Sequence, residues 1–215
     1  MYVCPVGDTK ENILKSALRL FNRYGTSSVT LRTIAKDLGI SQGNLNYHFK
    51  KREDIIGELY RRLVYDIDQV MLGNQNKEAS LQLLFDVSEV VTTNFYNYRF
   101  ILLNFTEVMQ EHKTIRYHFR SMAKLREEQI TELFDAFVQK GLMKEEQYPN
   151  QFRNLGKRYQ ILGDFWMSSA QVLHPKGVAK KTIREYSSLL LEAIYPYLTS
   201  EGQREFDRHH KQLKG

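Results

Sequence analysis

The sequence is poor in residues that staple or break a chain. Its 215 residues hold one cysteine, Cys4, and four prolines. A lone cysteine excludes an intrachain disulfide framework and fits a reducing, cytoplasmic setting. No apolar run approaches the roughly 18 residues needed to cross a bilayer, so no membrane partner is expected. The opening eight residues lack a basic region followed by an apolar stretch, so no secretory leader is expected either. The prolines, Pro5, Pro149, Pro175 and Pro196, all stand where helices would start or stop. Period-two alternation never persists, which argues against strands. Catalytic signatures are missing too: there is no metal-ligand spacing, no nucleophile elbow and no phosphate-cradling glycine loop. His209 and His210 stand in a polar tail from Thr199 that is expected to fray, leaving them solvated. The chain therefore reads as a non-enzyme without cofactor or metal.

What is present is positive charge in one place. The net charge is +6, and residues 1–62 carry 11 Lys and Arg against 6 Asp and Glu, while residues 63–215 carry 20 against 19. The excess lies in the first third, which points to a polyanionic partner there.

Apolar residues recur at helical spacing almost throughout, so the fold class is all-α. Helix 1 is expected from Asp8 or Thr9, with Asp8 and Glu11 forming a capping box, and its stripe is Ile13, Leu14, Ala17, Leu18, Phe21 and Tyr24. Gly25 ends it. Helix 2 follows the N-cap Thr30 and stops at Gly39; helix 3 starts at Ser41 and ends near Phe49; helix 4 runs from Arg52 to about Met71. Five more helices are expected, at about 78–95, 98–109, 115–140, 150–172 and 178–198, for nine in all.

Residues 30–49 carry the functional signal. Ala35 is small where two short helices must cross, Gly39 follows four residues later, and Leu45 comes at the tenth position, the spacing of a helix-turn-helix. Leu45 and Phe49 point inward, so helix 3 presents Gln42, Gly43, Asn46 and Tyr47 outward. A helix this short and polar is the size for a major groove roughly 12 Å wide. The N-caps Thr30 and Ser41 double as phosphate seats, and His48 is read as a phosphate contact. Lys50, Lys51 and Arg52 sit at the start of helix 4, where cations oppose the helix dipole and an outside anion would compensate.

Taken together, residues 9–60 resemble the DNA-binding domain of the tetracycline-repressor (TetR) family. The resemblance rests on Ala17-Leu-x-Leu-Phe-x-x-Tyr-Gly25, on Thr30-Leu-Arg-x-Ile-Ala35, and on Leu38-Gly-Ile-Ser-x-Gly-Asn-Leu-x-Tyr-His-Phe-Lys50. It implies a helix-turn-helix domain over residues 8–53 and a ligand-binding and dimerisation domain over residues 54–215. By the same resemblance, Arg32, Gln42, Gly43, Asn46 and Tyr47 face bases, while Thr30, Thr33, Ser41, Asn44, Tyr47, His48, Lys51 and Arg52 hold phosphates. The family often has an aromatic residue where this chain has Asn46, and asparagine can pair with adenine.

The resemblance also implies the partners: double-stranded operator DNA, a small-molecule effector and a second copy of the chain. The dimer is expected to form through the last two long helices, with one stripe of Phe152, Leu155, Tyr159, Leu162 and Trp166 and another of Ile183, Tyr186, Leu190 and Ile194. A pocket within helices 4–8 is expected to use Phe95, Tyr98, Asn104, Phe105, Met109, Tyr117, His118, Met122 and Trp166, and the effector to be largely apolar. The implied function is sequence-specific repression relieved by that effector. An activator of the same fold, or a nucleic-acid binder without sequence preference, is the alternative.

Overall fold

A computed structural model describes residues 9–175 and 177–214. Among them every regular element is helical. In chain order they are α1 (Thr9–Tyr24), α2 (Leu31–Leu38), α3 (Gln42–His48), α4 (Arg52–Asn74), α5 (Leu81–Asn97), α6 (Phe100–Leu103), α7 (Phe105–Glu111), α8 (Lys113–Gln139), α9 (Gln151–Leu173), α10 (Lys180–Glu192) and α11 (Ser200–Lys214), with a 3-10 turn at Tyr195–Tyr197. Two compact units result. One is residues up to Asp66 with Tyr98–Arg116; the other is Ile67–Asn97 with Tyr117 onward.

In the first unit α1 buries Ile13, Leu14, Ala17, Leu20 and Phe21, while Tyr24, expected on the same stripe, stays exposed. The expected cap Asp8, like Cys4 and Pro5, lies outside the described residues. Glu11 instead takes both prongs of the Arg62 guanidinium at 3.0 and 2.6 Å, and this hydrogen-bonded pairing holds its carboxyl below the usual range. The segment after Tyr98 belongs to this core. Phe100 packs on Phe21 with ring centres 5.2 Å apart, and its N–H donates to Asn22 Oδ1 at 3.0 Å. Thr26 and Ser27 hydroxyls donate to Glu107 at 3.0 Å. The single helix expected over 98–109 is broken at Asn104. The Asn104 side-chain amide donates to the Phe100 carbonyl at 2.8 Å, competing with the backbone ladder.

The second unit is built on a core of Leu81, Phe85, Phe134, Phe137, Phe152, Leu155, Leu191, Ile194, Leu198 and Phe206. The helix expected to continue to Leu198 ends at Glu192, because Pro196 has no N–H for a further turn and the chain tightens into a 3-10 turn. The tail does not fray. It forms α11, whose Phe206 is buried and packs edge-on against Phe85 at 5.0 Å and Tyr195 at 5.2 Å. Nor are the two histidines solvated. His210 Nε2 lies 2.6 Å from Ser188 Oγ and 2.8 Å from Glu192 Oε1, and the His209 ring sits 5.8 Å from Phe85.

α11 is held at its start by backbone contact. Thr199 N–H donates to Leu142 O at 3.0 Å, and a Cβ at position 202 would stand 2.0 Å from that oxygen. Only glycine fits there. Gly202→Ala is expected to unseat the first turn of α11 and cost about 1–3 kcal/mol, the usual penalty for overpacking. A urea-denaturation midpoint equal to that of the parent chain would contradict this.

Candidate nucleic-acid interface

The α2–turn–α3 hairpin is fixed by local chemistry at four points. Thr30 caps α2: its hydroxyl accepts from Thr33 N–H at 3.2 Å while Thr33 Oγ1 accepts from Thr30 N–H at 2.8 Å. Gly39 ends α2 in the left-handed region at φ 67°, which spares a side chain the steric strain there. Ser41 caps α3, accepting from Asn44 N–H at 3.1 Å. Leu45 is 0% exposed and Phe49 5%, beside a buried Ile34 and Ala35. Asp37, on α2, draws hydrogen bonds from Arg19 and from Ser16, the latter at 2.6 Å, and both hold its carboxyl below the usual range. That fastens α2 to α1.

With Leu45 and Phe49 inside, Ser41, Gln42, Gly43 and Asn44 are exposed, and Tyr47 is 79% exposed. Tyr47 is braced edge-on by the half-buried His48 ring at 5.2 Å. Thr30, Arg32 and Thr33 are exposed at the start of α2. Asn46 departs from expectation. It is half-buried, and its Oδ1 is buried with no hydrogen-bond partner. A bidentate grip on adenine needs that oxygen turned outward, so Asn46 does not present the edge that was expected of it.

Arg52 departs further. Its guanidinium points into its own unit, donating to Thr26 O at 2.9 Å and Glu111 Oε2 at 3.1 Å, with Glu53 Oε1 at 3.3 Å. It is a structural clamp and not a free cation for phosphate. Lys50 and Lys51 are exposed, and the Lys51 N–H is capped by Asp54 Oδ2 at 2.9 Å. Asp54 and Glu53 answer the dipole of α4, so the start of that helix needs no outside anion. Lys36, not singled out from the sequence, adds an exposed cation in the last turn of α2, where the helix dipole favours it.

The expected ligand residues are divided between the two units. Tyr98, Asn104, Phe105 and Met109 belong to the first unit; Phe95, Tyr117, His118, Met122 and Trp166 belong to the second. Tyr117 is exposed to solvent, and the Asn104 amide is engaged with its own helix. In the second unit a cavity of about 250 Å³ lies between α5 and α10, and an open, acid-lined groove runs along α8 toward the start of α9. None of the nine residues lines either. One buried acid was not legible beforehand: Asp164, whose carboxyl burial pushes up to about 6 against the opposing pull of Arg126.

The expected dimer residues are mostly spent within the chain. Phe152, Leu155 and Ile194 are core, Tyr159 packs on that core and donates to Leu191 O at 3.3 Å, and Trp166 and Ile183 are buried, with Trp166 against Tyr186 at 5.5 Å. Leu190 is half-buried, and only Leu162 is exposed. The uncovered apolar stripe lies on the other side of α9: Ile161, Leu162, Phe165, Val172 and Leu173, joined by Leu189 on α10. Apart from Leu162, this second stripe is not among the residues expected from the sequence.

Comparison with known proteins agrees with this geometry. The family model described as "Bacterial regulatory proteins, tetR family" matches residues 13–59, and the TetR model described as "Bacterial transcriptional repressor" matches residues 62–206. The regulator AcrR of Shigella flexneri is 37% identical over 70 residues, 33% of this chain and 33% of that protein. The probable regulator YttP of Bacillus subtilis is 30% identical over 86 residues, 37% of this chain and 42% of that protein. The match thus spans well under half of these relatives' length. Among solved structures, a TetR-family transcriptional regulator from Marinobacter aquaeolei VT8 has a TM-score of 0.83 at 23% identity, covering 97% of this chain and 100% of that one. A putative transcriptional regulator from Saccharomonospora viridis, in complex with choline, has a TM-score of 0.67 at 19% identity, covering 89% and 97%. No described helix is long and apolar enough to cross a membrane.

The geometry separates two neighbouring cations. Arg52→Ala is expected to lower stability by about 1–3 kcal/mol, since Glu111 and the Thr26 carbonyl lose a charged donor. Lys51→Ala is expected to leave the denaturation midpoint in place and to weaken DNA binding. Equal midpoints for Arg52→Ala and the parent chain would return Arg52 to the set of free cations.

Proposed function

The chain belongs to the TetR family of bacterial transcriptional regulators, and we propose that it is a sequence-specific repressor that grips a palindromic operator as a homodimer and is released by a small, largely apolar molecule. The observation that carries this reading is the exposure of Tyr47 and its polar neighbours on a helix whose only fully buried side chain is Leu45. In this reading α3 enters the major groove, with Gln42, Gly43 and Tyr47 against base edges and Arg32 beside them. Thr30, Thr33, Ser41, Asn44, His48 and Lys51 hold the flanking phosphates. Ser41 suits the role: its oxygen accepts from Asn44 N–H, and its proton remains to be donated. Asn46 joins only by rotating its amide outward, and Arg52 stays out.

One seven-residue reading helix specifies few base pairs, so a symmetric pair reading two half-sites is needed. The uncovered stripe on α9 supports a second copy as its cover, because monomers rarely expose so continuous an apolar patch. The Saccharomonospora viridis structure holds choline, which supports a small-molecule effector of some kind here. Release requires the effector to favour a dimer geometry that misfits the operator, and shifting a two-state balance from 1:99 to 99:1 takes about 5.5 kcal/mol of differential affinity. α4 runs unbroken from Arg52 to Asn74 and is the rigid element proposed to carry that change.

Two variants test the reading. Tyr47→Ala is expected to weaken operator binding about ten- to a hundredfold while leaving the solution mass at twice that of one chain. Val172→Asp, at a position 78% exposed in the single chain, is expected to leave the fold intact and halve the solution mass. Unchanged operator affinity in the first, or an unchanged mass in the second, contradicts the corresponding assignment.

A further inference from the structure

The cavity between α5 and α10 is bounded by one face of each helix. From α10 come Lys180, Ile183, Arg184 and Ser187, which recur at helical spacing. From α5 come Thr92 and Tyr96, whose hydroxyls have already given their protons away, to Ser88 O at 2.7 Å and Val178 O at 2.9 Å. Ser187 is different. It is 2% exposed, and its hydroxyl is buried with no hydrogen-bond partner. A buried hydroxyl left unpaired is costly, and groups of this kind in native structures call for an explanation.

Charge at the cavity has a sign. Arg184 and Glu89 stand 4.0 Å apart and offset each other. Lys180 is exposed in the first turn of α10 and has no ion pair among the described residues. Ala179, the N-cap, gives that helix start no side-chain hydrogen bond. A thirteen-residue helix therefore opens beside the cavity with an uncapped positive end and an uncompensated lysine.

We propose that this cavity binds a small anionic amphiphile, with its acid group at Lys180 and the α10 N-terminus, its apolar body against Ile183, and a second hydrogen-bonding group on Ser187. The size fits. A space of about 250 Å³ corresponds to about eight waters' share of liquid, a body on the order of ten non-hydrogen atoms. Lys180 and Ser187 are separated by about 10 Å along the helix axis, so the ligand is elongated, with polar groups at both ends. As a statement about the effector this rests on the proposed function and replaces the largely apolar molecule named there with one that carries an acid group; as a statement about binding it does not.

The test is calorimetric titration of the full chain without DNA, so that failure here and failure of the DNA reading are seen separately. The probe is 4-hydroxybenzoate, compared with its neutral isostere 4-hydroxybenzamide, with the cation 4-hydroxybenzylammonium and with benzoate. The acid is expected to bind at least about tenfold tighter than the amide or the cation, because charge-assisted bonds are the strong ones. Lys180→Gln, at an exposed position, is expected to remove most of that preference, and Ser187→Ala to bring 4-hydroxybenzoate down to the affinity of benzoate. Equal binding of acid and amide, tighter binding of the cation through Glu89, indifference to Lys180→Gln, or no heat from any probe would each overturn the proposal.

Discussion

α3 has seven residues, far below the length of about 12–15 at which a helix begins to hold itself in water. Its shape is imposed by burial of Leu45 and by the two caps at its ends, Ser41 and Phe49. That constraint sets everything outward of it. Once Leu45 is fixed beneath the turn, rotation about the α3 axis is settled, and Tyr47 has nowhere to go but solvent. Rotation by one residue, about 100°, would turn the amide of Asn44 or Asn46 into the core and expose a leucine, losing on both counts. Ala35 and Gly39 make the constraint achievable: the first gives no bulk where the hairpin closes, and the second takes the backbone through a left-handed turn at φ 67°.

The rest of the first unit protects that geometry. Asp37 ties α2 to α1, and Arg62 ties α4 to Glu11. Arg52 ties the start of α4 to the Thr26 carbonyl and to Glu111, and Asn22 meets the Phe100 N–H. Most of these bonds carry a charged partner, and all but the Arg52–Glu111 pair are part-buried. The Arg52–Glu111 and Asn22–Phe100 bonds draw residues 98–116 onto the same core as the α2–α3 hairpin. Under the proposed function, a ligand that disturbs α6 or α7 acts on a segment hydrogen-bonded directly to that hairpin's support.

The hairpin was legible in the sequence because its determinants are local. Thr30, Gly39, Ser41 and Leu45 act on residues three to five positions away, and spacing alone reports them. The role of Arg52 is not legible in the sequence because its partners lie 26 and 59 residues off, and three consecutive basic residues look alike until the fold separates them. α9 carries two apolar stripes, and nothing in their periodicity says which one the chain itself covers. α11 was missed for a related reason. Its fifteen residues are mostly polar, yet Phe206 and two half-buried histidines suffice when α5 and α10 supply the other wall. The α5–α10 cavity has no sequence signal at all, since a void is a property of two faces that fail to meet.

Under the proposed function a paired, outward-facing α3 reads a duplex. The most direct measurement is selection of bound sequences from randomised duplex DNA by the purified full-length chain, followed by nuclease protection of the winning sequence. The expected result is an inverted repeat whose half-sites lie one helical turn, about 10 base pairs, or a multiple of it apart, both protected together. Recovery of DNA with no shared sequence, held by contacts that vanish steeply with added salt, would contradict it.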